Sequence, residues 1–435
     1  MIAAEVYLWG TRIGVVAQND ATDFTRFNYD SRFIRSGIEV SPFAMPLSNR
    51  VYSFPSLNEE TFHRLPGLLA DSLPDKFGTK LLEQYLSSQG RSLDTLSAVE
   101  RLCYTGSRGT GALEYVPAKE LVDAKDASID VDSLVQLASD ILSNRESVHV
   151  TDNSHMMEQI ISVGTSAGGA RAKAVVAWNR TTGDIRSGQV HAGDGYEYWI
   201  IKFDGVENNK DRGDTADGPA FTRIEYAYYR MARTAGIEMS ECRLHEESGK
   251  YHFMTKRFDR KPVTGEKVHM QSLGALAHYD FNEPGANSYE QTAGILYRLN
   301  MGQAEIEQLF RRMVFNELAR NLDDHVKNIS FLMDKQGTWS LSPGYDITYA
   351  YNPSNRWLAK HQMTINGKRE QITLDDLVEA GQHMNISRNR IIGIIEDVDQ
   401  AIKVWPSYAK EAKLSERVVE EVQWNLGSIE AIDKK

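Results

Sequence analysis

The stretch Asn321-Leu-Asp-Asp-His-Val-Lys-Asn328 decides how the fold of this chain is interpreted. Asp323 and Asn328 are five positions apart, the spacing between catalytic base and metal ligand in the protein-kinase pattern H-R-D-x-x-x-x-N. Phosphoryl transfer needs a carboxylate near the attacking hydroxyl and oxygen ligands that hold Mg²⁺ against the nucleotide phosphates. The stretch therefore predicts a phosphoryl-transfer loop, although a polar loop after a helix has a similar composition.

A short hairpin is predicted directly after this stretch. Two alternating runs, Ile329–Asp334 and Thr338–Ser342, flank a glycine-containing break, which is typical of a β-hairpin. A hairpin returns the chain to its start, so Asp346 is expected to meet Asn328 at one metal ion. In this interpretation Asp323 is the base, and Asn328 and Asp346 are the two metal ligands.

Length and composition limit the protein class. A chain of 435 residues predicts two or three domains, and 41% hydrophobic with 25% charged residues is typical of a globular protein. The net charge of −11 disfavours non-specific binding to DNA or anionic membranes, although a local basic patch stays possible. Only Cys103 and Cys242 are present, which excludes a disulfide framework and a cysteine zinc site. Without a signal-like start or a long apolar segment, we expect a cytoplasmic protein.

The first part of the chain is predicted to be rich in strands. Short alternating runs indicate strands over Glu5–Gly10, Ile13–Ala17 and Phe24–Tyr29. A helical stretch follows from about residue 58, and the apolar spacing predicts a helix over Lys76–Ser88. Pro117 and the polar residues after it indicate a domain boundary.

Two glycine-rich stretches could cradle a phosphate. The first, Gly106–Gly111, is not framed by a preceding strand and a following helix, so we predict a structural turn there. The second, Ile160–Lys173, leads into a strand-like run. Its glycines, Gly164, Gly168 and Gly169, would let backbone amides approach phosphate oxygens. An ordinary glycine-rich hairpin is the alternative for this second stretch.

Lys202 lies inside the apolar run Tyr198–Phe203. Burying a lysine there costs free energy unless it is paired. Glu225, on a predicted helix over Phe221–Arg233, is the candidate partner, as in kinases where a strand lysine contacts the nucleotide phosphates. The alternative is that Lys202 extends to solvent from a strand edge.

The remaining elements complete a kinase-like order. Tyr251–Asp259 is predicted to be a strand that serves as the hinge bonding adenine, with Asp259 reaching the ribose hydroxyls. From about residue 260 the chain is predicted to be mainly helical. The apolar stripe of Glu305–Arg320 predicts a core helix that presents Asp323 on a rigid support, and further helices are expected over residues 373–404.

This order of features resembles the HipA family of bacterial serine/threonine kinases, which are toxins of toxin–antitoxin modules. The specific pieces are residues 164–173, 281–291, 323–328 and 342–346, and Leu69–Asp75 matches the family's extra subdomain. The resemblance implies an α+β, two-lobed protein-kinase-like fold with a β-rich N-lobe, a helical C-lobe and an additional N-terminal α/β subdomain. The implied division is residues 1–118 for the subdomain, 119–258 for the N-lobe and 259–435 for the C-lobe.

The resemblance also implies ATP and Mg²⁺ as cofactors and a protein serine as acceptor. Asp323 would be the catalytic base, and His325 and Lys327 would support the loop or the transferred phosphate. Asn328 and Asp346 would hold Mg²⁺. Residues implied to contact the nucleotide are Gly164, Ser166, Ala167, Gly168, Gly169, Ala170, Lys202, Glu225, Lys256, Phe258 and Asp259.

Regulation and partners are implied in the same way. In the best-known members a serine of the phosphate loop is autophosphorylated, and Ser166 falls at that position, with Ser162, Thr165 or a purely structural serine as alternatives. A small DNA-binding antitoxin, HipB, would be the partner, and this acidic chain would reach DNA mainly through it. The protein substrate would be a translation protein such as glutamyl-tRNA synthetase, with growth arrest and persistence as the outcome.

Three other functions are compatible with parts of the pattern. A kinase for a lipid or small alcohol shares the D-x-H-x-x-N order, but the N-terminal subdomain argues against it. A degenerate kinase that only binds the antitoxin has no need to keep Lys202 together with Asp323, Asn328 and Asp346. A hydrolytic metal site built from Asp324, His325 and Asp346 leaves the glycine-rich loop and Lys202 unexplained.

Overall fold

The structure is a computed structural model that describes residues 1–20, 23–119, 130–142, 171–189, 191–206, 220–262 and 264–432. Residues 160–170 of the predicted phosphate loop lie outside the described residues. The predictions for Ser162, Gly164, Thr165, Ser166, Ala167, Gly168, Gly169 and Ala170 therefore stay predictions. Within the described ranges, no helix has the length and apolar character needed to cross a bilayer.

The N-terminal sheet follows from alternating buried and exposed side chains. Its four antiparallel strands have the order β3-β2-β1-β4, and β1 begins earlier than the sequence predicts. They are β1 (Ile2–Leu8), β2 (Thr11–Gln18), β3 (Arg26–Tyr29) and β4 (Leu113–Val116). The helices in this part of the chain are α1 (Ser31–Ile34), α2 (Glu59–Phe62), α3 (Gly67–Ala70), α4 (Lys76–Ser88) and α5 (Ala98–Thr105).

A second antiparallel sheet has the order β6-β5-β7-β9-β8, which places β7 at its centre. Helix α4, which has the predicted bounds, packs with α6 on this sheet rather than on the first one, because its apolar face shares a core with Val176, Trp199 and Ile201. The elements are α6 (Val131–Leu142), β5 (Lys173–Trp178), β6 (Ile185–Ser187), β7 (Glu197–Lys202), α7 (Phe221–Thr234), β8 (Cys242–Glu247) and β9 (Lys250–Lys256).

The C-terminal part is mainly helical around α10, which is buried on all sides from Leu309 to Leu318. The predicted hairpin is present as β11 and β12, and the structure adds β10 on its outer side. The elements are β10 (His269–Ser272), α8 (Leu273–Ala277), α9 (Tyr289–Arg298), α10 (Gln303–Leu318), β11 (Ser330–Met333), β12 (Trp339–Leu341), α11 (Leu374–His383), α12 (Arg388–Lys403), α13 (Trp405–Glu411), α14 (Glu416–Asn425) and α15 (Ile429–Ile432).

The arrangement confirms the predicted fold class. A five-stranded sheet with helix α7 faces a mainly helical region, as in the two lobes of a kinase-like fold, and the first sheet forms an additional subdomain. Tyr228 of α7 and Trp405 of α13 are buried against each other, with ring centroids 5.5 Å apart. Helix α7 therefore shares the core of the C-terminal helical lobe. The exact domain boundaries at 118 and 258 stay predictions.

The turn Gly106–Gly111 joins the N-terminal sheet to the rest of the molecule. Arg260 donates from its guanidinium to the carbonyls of Gly109 and Gly111 at 3.3 and 3.2 Å, and the amide of Gly111 donates to Asp259 at 2.8 Å. Gly111 has a φ of +70°, and a Cβ there would lie 2.9 Å from the backbone nitrogen of Met270. The turn is therefore part of the interface between the N-terminal sheet and the segment of Asp259 and Arg260. The N–H of Gly111 already donates to Asp259, so it is not available to a phosphate.

We predict that Gly111→Ala destabilises the protein more than Gly10→Ala. Both glycines have positive φ, which costs an L-residue about 1–2 kcal/mol, but only Gly111 has backbone atoms within 4 Å of the new methyl group. Urea denaturation of the two variants measures the difference. Equal losses of stability would show that the contact with Met270 adapts freely.

Candidate active site

Lys202 forms ion pairs with one residue of each lobe. It ends the central strand β7, and its ammonium lies 2.6 Å from Glu225 Oε1 and 2.5 Å from Asp346 Oδ1. Glu225 comes from α7, and its side chain is 3% exposed. Asp346 follows the hairpin of the lower lobe, and its side chain is 31% exposed. The structure thus brings together Lys202 and Glu225 as the sequence predicts, and adds Asp346 to the pair.

The charges of these three groups depend on one another. Burial opposes the charge of Lys202, but Asp346 and then Glu225 outweigh it and raise the pKa of the ammonium. Burial also works against ionised Asp346, yet the nearby Lys202 cation lowers the pKa of that carboxyl well below its usual range. Burial dominates at Glu225 and raises its pKa. Asp346 is therefore the more accessible and the more firmly ionised carboxylate of the two.

Tyr345 holds Asp346 next to the loop that follows α10. Its hydroxyl donates to the carbonyl of Lys327 at 2.6 Å and lies 2.5 Å from Ser330 Oγ. Lys327 and Ser330 border the start of β11, while Tyr345 follows the end of β12, so one hydroxyl joins both ends of the hairpin. Asp346 itself has a φ of +55°, which turns the chain sharply at this position.

The loop of residues 323–328 is closed by Asn328. Its amide Nδ2 donates to the carbonyl of Asp323 at 2.9 Å, and its backbone N–H donates to the carbonyl of His325 at 2.8 Å. His325 Nε2 lies 3.9 Å from Asp323 Oδ2. The ammonium of Lys327 lies over the ring of Phe281 at 4.7 Å from its centroid. The bond through Nδ2 leaves the amide oxygen of Asn328 for another contact.

Both predicted metal ligands line one small cleft. Asn328, Asp346 and His325 line it together with Arg312, Tyr345 and residues of the preceding helix. Mg²⁺ prefers carboxylate and carbonyl oxygens, and Asn328 with Asp346 supplies one of each. The donor set therefore fits Mg²⁺. Asp324 also lines this cleft, but its carboxylate is 1% exposed and lies 2.7 Å from His361 Nδ1, which disfavours the hydrolytic site that needs it as a ligand.

Asp259 does not have the surroundings that the predicted ribose contact requires. It is 3% exposed, and its two oxygens accept hydrogen bonds from Arg257 at 2.8 and 2.7 Å, from Arg260 at 2.8 Å and from the amide of Gly111 at 2.8 Å. Burial opposes its ionisation, but the two guanidinium groups lower its pKa below the usual range. Asp259 thus joins the hinge region to the N-terminal turn, and the structure gives no support to a contact with ribose.

The other predicted hinge residues differ in their availability. The backbone N–H of Lys256 donates to the carbonyl of Glu241 at 2.8 Å, and its ammonium pairs with Glu197 at 2.7 Å. Lys256 is thus committed to the sheet, so its N–H is not placed for adenine. The ring centroid of Phe258 lies 5.6 Å from that of Tyr345. Phe258 is thus close to a residue that lines the cleft.

A buried ion pair that the sequence analysis did not predict lies next to Lys202. Lys173 begins β5 directly opposite Lys202 in the ladder, and its ammonium lies 2.8 Å from Asp75 Oδ2. Asp75 caps the N-terminus of α4 by accepting from the amide of Gly78. The start of α4 therefore holds the strand that follows the glycine-rich stretch. No local pattern connects residues so far apart in sequence.

We predict that Asp259→Asn lowers stability at pH 7 by about 3–5 kcal/mol, because two buried guanidinium groups lose their counter-charge. The folded-state pKa of Asp259 is depressed, so its contribution is present above the pKa of the unfolded state and is lost as the pH falls. The difference in the free energy of unfolding between parent and variant should therefore become smaller as the pH falls. Urea denaturation at several pH values measures it.

Glu266→Gln is the matched control for this substitution. Glu266 also pairs with two cations, Lys261 and Lys335, but on the surface. Exposed pairs contribute little to stability, so the control should stay close to the parent at neutral pH. If Asp259→Asn is as stable as Glu266→Gln, the buried network does not hold the interface.

Comparison with known proteins places the chain in a family. A model of the HipA N-terminal domain matches residues 4–116, and a model of the HipA-like C-terminal domain matches residues 165–405, more than half of the chain. The fold is similar to a chain of the Shewanella oneidensis MR-1 complex of HipA, HipB and operator DNA, with a TM-score of 0.68, 17% identity and 99% of both chains covered.

Two curated bacterial proteins match part of the sequence. A "Putative kinase" of Haemophilus influenzae is 28% identical over 225 residues, which cover 44% of this chain and 64% of that protein. A "Putative kinase Y4dM" of Sinorhizobium fredii is 23% identical over 223 residues, which cover 47% and 53%. The match thus spans less than two thirds of the length of either relative. The two domain models together span both lobes and the N-terminal subdomain, and the chain belongs to the HipA family.

Proposed function

We propose that this protein is an ATP- and Mg²⁺-dependent serine/threonine protein kinase that acts as the toxin of a toxin–antitoxin module. The observation that carries the proposal is the contact of Lys202 with Glu225 and Asp346 at the edge of the cleft that Asn328 also lines. A strand lysine paired with a helix glutamate, next to an aspartate and an asparagine, is the set of side chains that kinases use around the nucleotide phosphates and their metal ions.

Each residue has a distinct part in this proposal. Asn328 and Asp346 would hold Mg²⁺, which when bound neutralises charge on the phosphates. The ammonium of Lys202 would keep its contact with Glu225 and exchange its contact with Asp346 for the phosphate oxygens. Asp323 accepts the proton of the attacking hydroxyl, and His325 and Lys327 lie in the same loop to support the transferred phosphate.

Asp323→Ala tests the proposed base. We expect loss of phosphate transfer by about 10²–10⁴-fold, the usual contribution of general-base catalysis, with Mg-ATP binding retained, because the base acts on the acceptor hydroxyl. Transfer of radiolabelled phosphate and calorimetric titration with Mg-ATP measure the two effects. Equal weakening of nucleotide binding would contradict the assigned role.

Asp346→Asn tests the proposed metal ligand. This variant should lose the Mg²⁺-dependent part of its ATP affinity, because an amide replaces the ionised carboxylate. Asp334→Asn in the exposed turn of the hairpin is a control that removes one carboxylate outside the cleft. If Asp346→Asn binds Mg-ATP like the parent, Asp346 is not a metal ligand.

The proposal includes autophosphorylation of the glycine-rich loop at Ser166, with Ser162 and Thr165 as alternative sites. The family resemblance supports it, and the closeness of Lys173, at the end of that loop, to Lys202 agrees with it. Intact-mass measurement after incubation with Mg-ATP should show the gain of one phosphate on residues 162–166 and none for Asp323→Ala. A parent that phosphorylates other proteins but gains no phosphate itself would remove autophosphorylation from the account.

A HipB-like antitoxin is the proposed partner, and a translation protein such as an aminoacyl-tRNA synthetase is the proposed substrate. The similar Shewanella structure is a complex with HipB and operator DNA, and the net charge of −11 favours contact with DNA through a partner over direct contact. Both cysteines are buried free thiols, in keeping with the proposed cytoplasmic location.

A further inference from the structure

Asp324, the neighbour of the proposed base, is a buried residue of the cleft wall, and its carboxylate is engaged by core groups. Its side chain is 1% exposed. One of its oxygens accepts from the Tyr289 hydroxyl at 2.8 Å and faces His361 Nδ1 at 2.7 Å, and the other accepts from the backbone N–H of Gln362 at 2.7 Å. The adjacent Asp323 differs in exposure, since its side chain is 17% exposed and its Oδ2 lies 3.9 Å from His325 Nε2.

His361 lies between two buried carboxylates. Its Nδ1 faces Asp324, and its Nε2 lies 2.9 Å from Glu317 Oε2. A neutral imidazole has one N–H donor, whereas an imidazolium has two, so both contacts are hydrogen bonds only when the ring is charged. Burial lowers the pKa of His361, but Asp324 and then Glu317 outweigh it and raise the pKa to about 9. The ring is therefore positively charged at neutral pH.

These contacts join three segments that surround the cleft. Glu317 lies near the end of α10 and also pairs with Arg320 at 3.0 Å. Asp324 belongs to the loop that α10 leads into. His361 belongs to the segment after Asp346, where its carbonyl accepts from Arg369 Nε at 2.6 Å. The charged and titratable groups that face His361 or its two carboxylates are Asp324, Glu317, Tyr289, Arg320 and Arg369.

We propose that His361 is a positioning residue for phosphate transfer, a role that rests on the kinase function proposed above. It holds the Asp324 carboxylate in the core and so fixes the backbone of residues 323–328, which directs the adjacent Asp323 side chain to the acceptor. In kinases whose activation loop is ordered by phosphorylation, an added phosphate pairs with arginines. Here His361 provides the cation and Asp324 of the loop provides the anion. The loop is therefore held without phosphorylation.

The test compares His361→Gln with the pair His361→Gln/Glu317→Gln. The single change removes the cation that the two buried carboxylates share and so lowers stability, whereas the double change keeps Asp324 and restores the balance of charge. His269→Gln removes another buried histidine, on β10, and is the control for a general loss of packing. Hydrogen exchange of the amides of residues 321–328 and turnover per folded molecule are measured for all of them.

We expect faster exchange of the loop amides in both His361 variants, with the hairpin amides of β11 unchanged. Turnover should fall by about 10²-fold, the usual cost of a displacement near 1 Å in an active site, while Mg-ATP affinity is retained. His269→Gln should show neither effect. Turnover per folded molecule equal to that of the parent in the double variant would overturn the inference, whatever the exchange rates.

The pH dependence provides a readout that packing alone would not change. The folded-state pKa of His361 is raised above its ordinary value, so the link to Asp324 is fully present below pH 6.5 and is lost as the pH rises through about 9. Turnover of the parent should therefore fall across that range, and the variants should lack this step. A parent that transfers no phosphate would refute the kinase function. Hydrogen exchange of the amides of residues 321–328 would then test the positioning inference. Equal exchange rates in the parent and in the His361 variants would overturn it.

Discussion

The buried ammonium of Lys202 is the constraint on which the rest of the site depends. A cation in the middle of a sheet is stable only with a close counter-charge, and here the counter-charges come from α7 on one side and from the residue after β12 on the other. The requirement to pair Lys202 therefore holds the five-stranded sheet close to the C-terminal lobe, which carries Asp346. It also keeps Asp346 ionised at the edge of the cleft.

Three aspartates show how surroundings separate chemical from structural roles. Asp346 is partly exposed and shares Lys202 with Glu225, so a metal ion could compete for its carboxylate. Asp259 is enclosed by two arginines and the Gly111 amide, which leave no oxygen for a ligand. Asp324 is equally enclosed, but its partners belong to the segments around the cleft. The same residue type is thus a proposed metal ligand at 346, part of an interface at 259 and a proposed support of the loop at 324.

Local patterns in the sequence were sufficient for much of the fold and for part of the site. Alternation predicted the hairpin, helical spacing predicted α4, and an unpaired lysine in an apolar strand predicted a glutamate partner, because each depends on neighbours or on the cost of burial. The surroundings of Asp259 were not predicted, because one of its partners, the Gly111 turn, is distant in sequence. His361, Asp75 and the packing of α4 on the second sheet were missed for the same reason: only the folded chain brings these segments together.

A structure determined by crystallography with Mg²⁺ and a non-hydrolysable ATP analogue tests the central claim most directly. The account predicts a metal ion bound by Asn328 and Asp346 at about 2.0–2.1 Å, the distance usual for Mg²⁺. Lys202 should leave Asp346, remain on Glu225 and contact the phosphates. A nucleotide bound elsewhere, or in the cleft with the contact between Lys202 and Asp346 unbroken and no metal on Asp346, would contradict it.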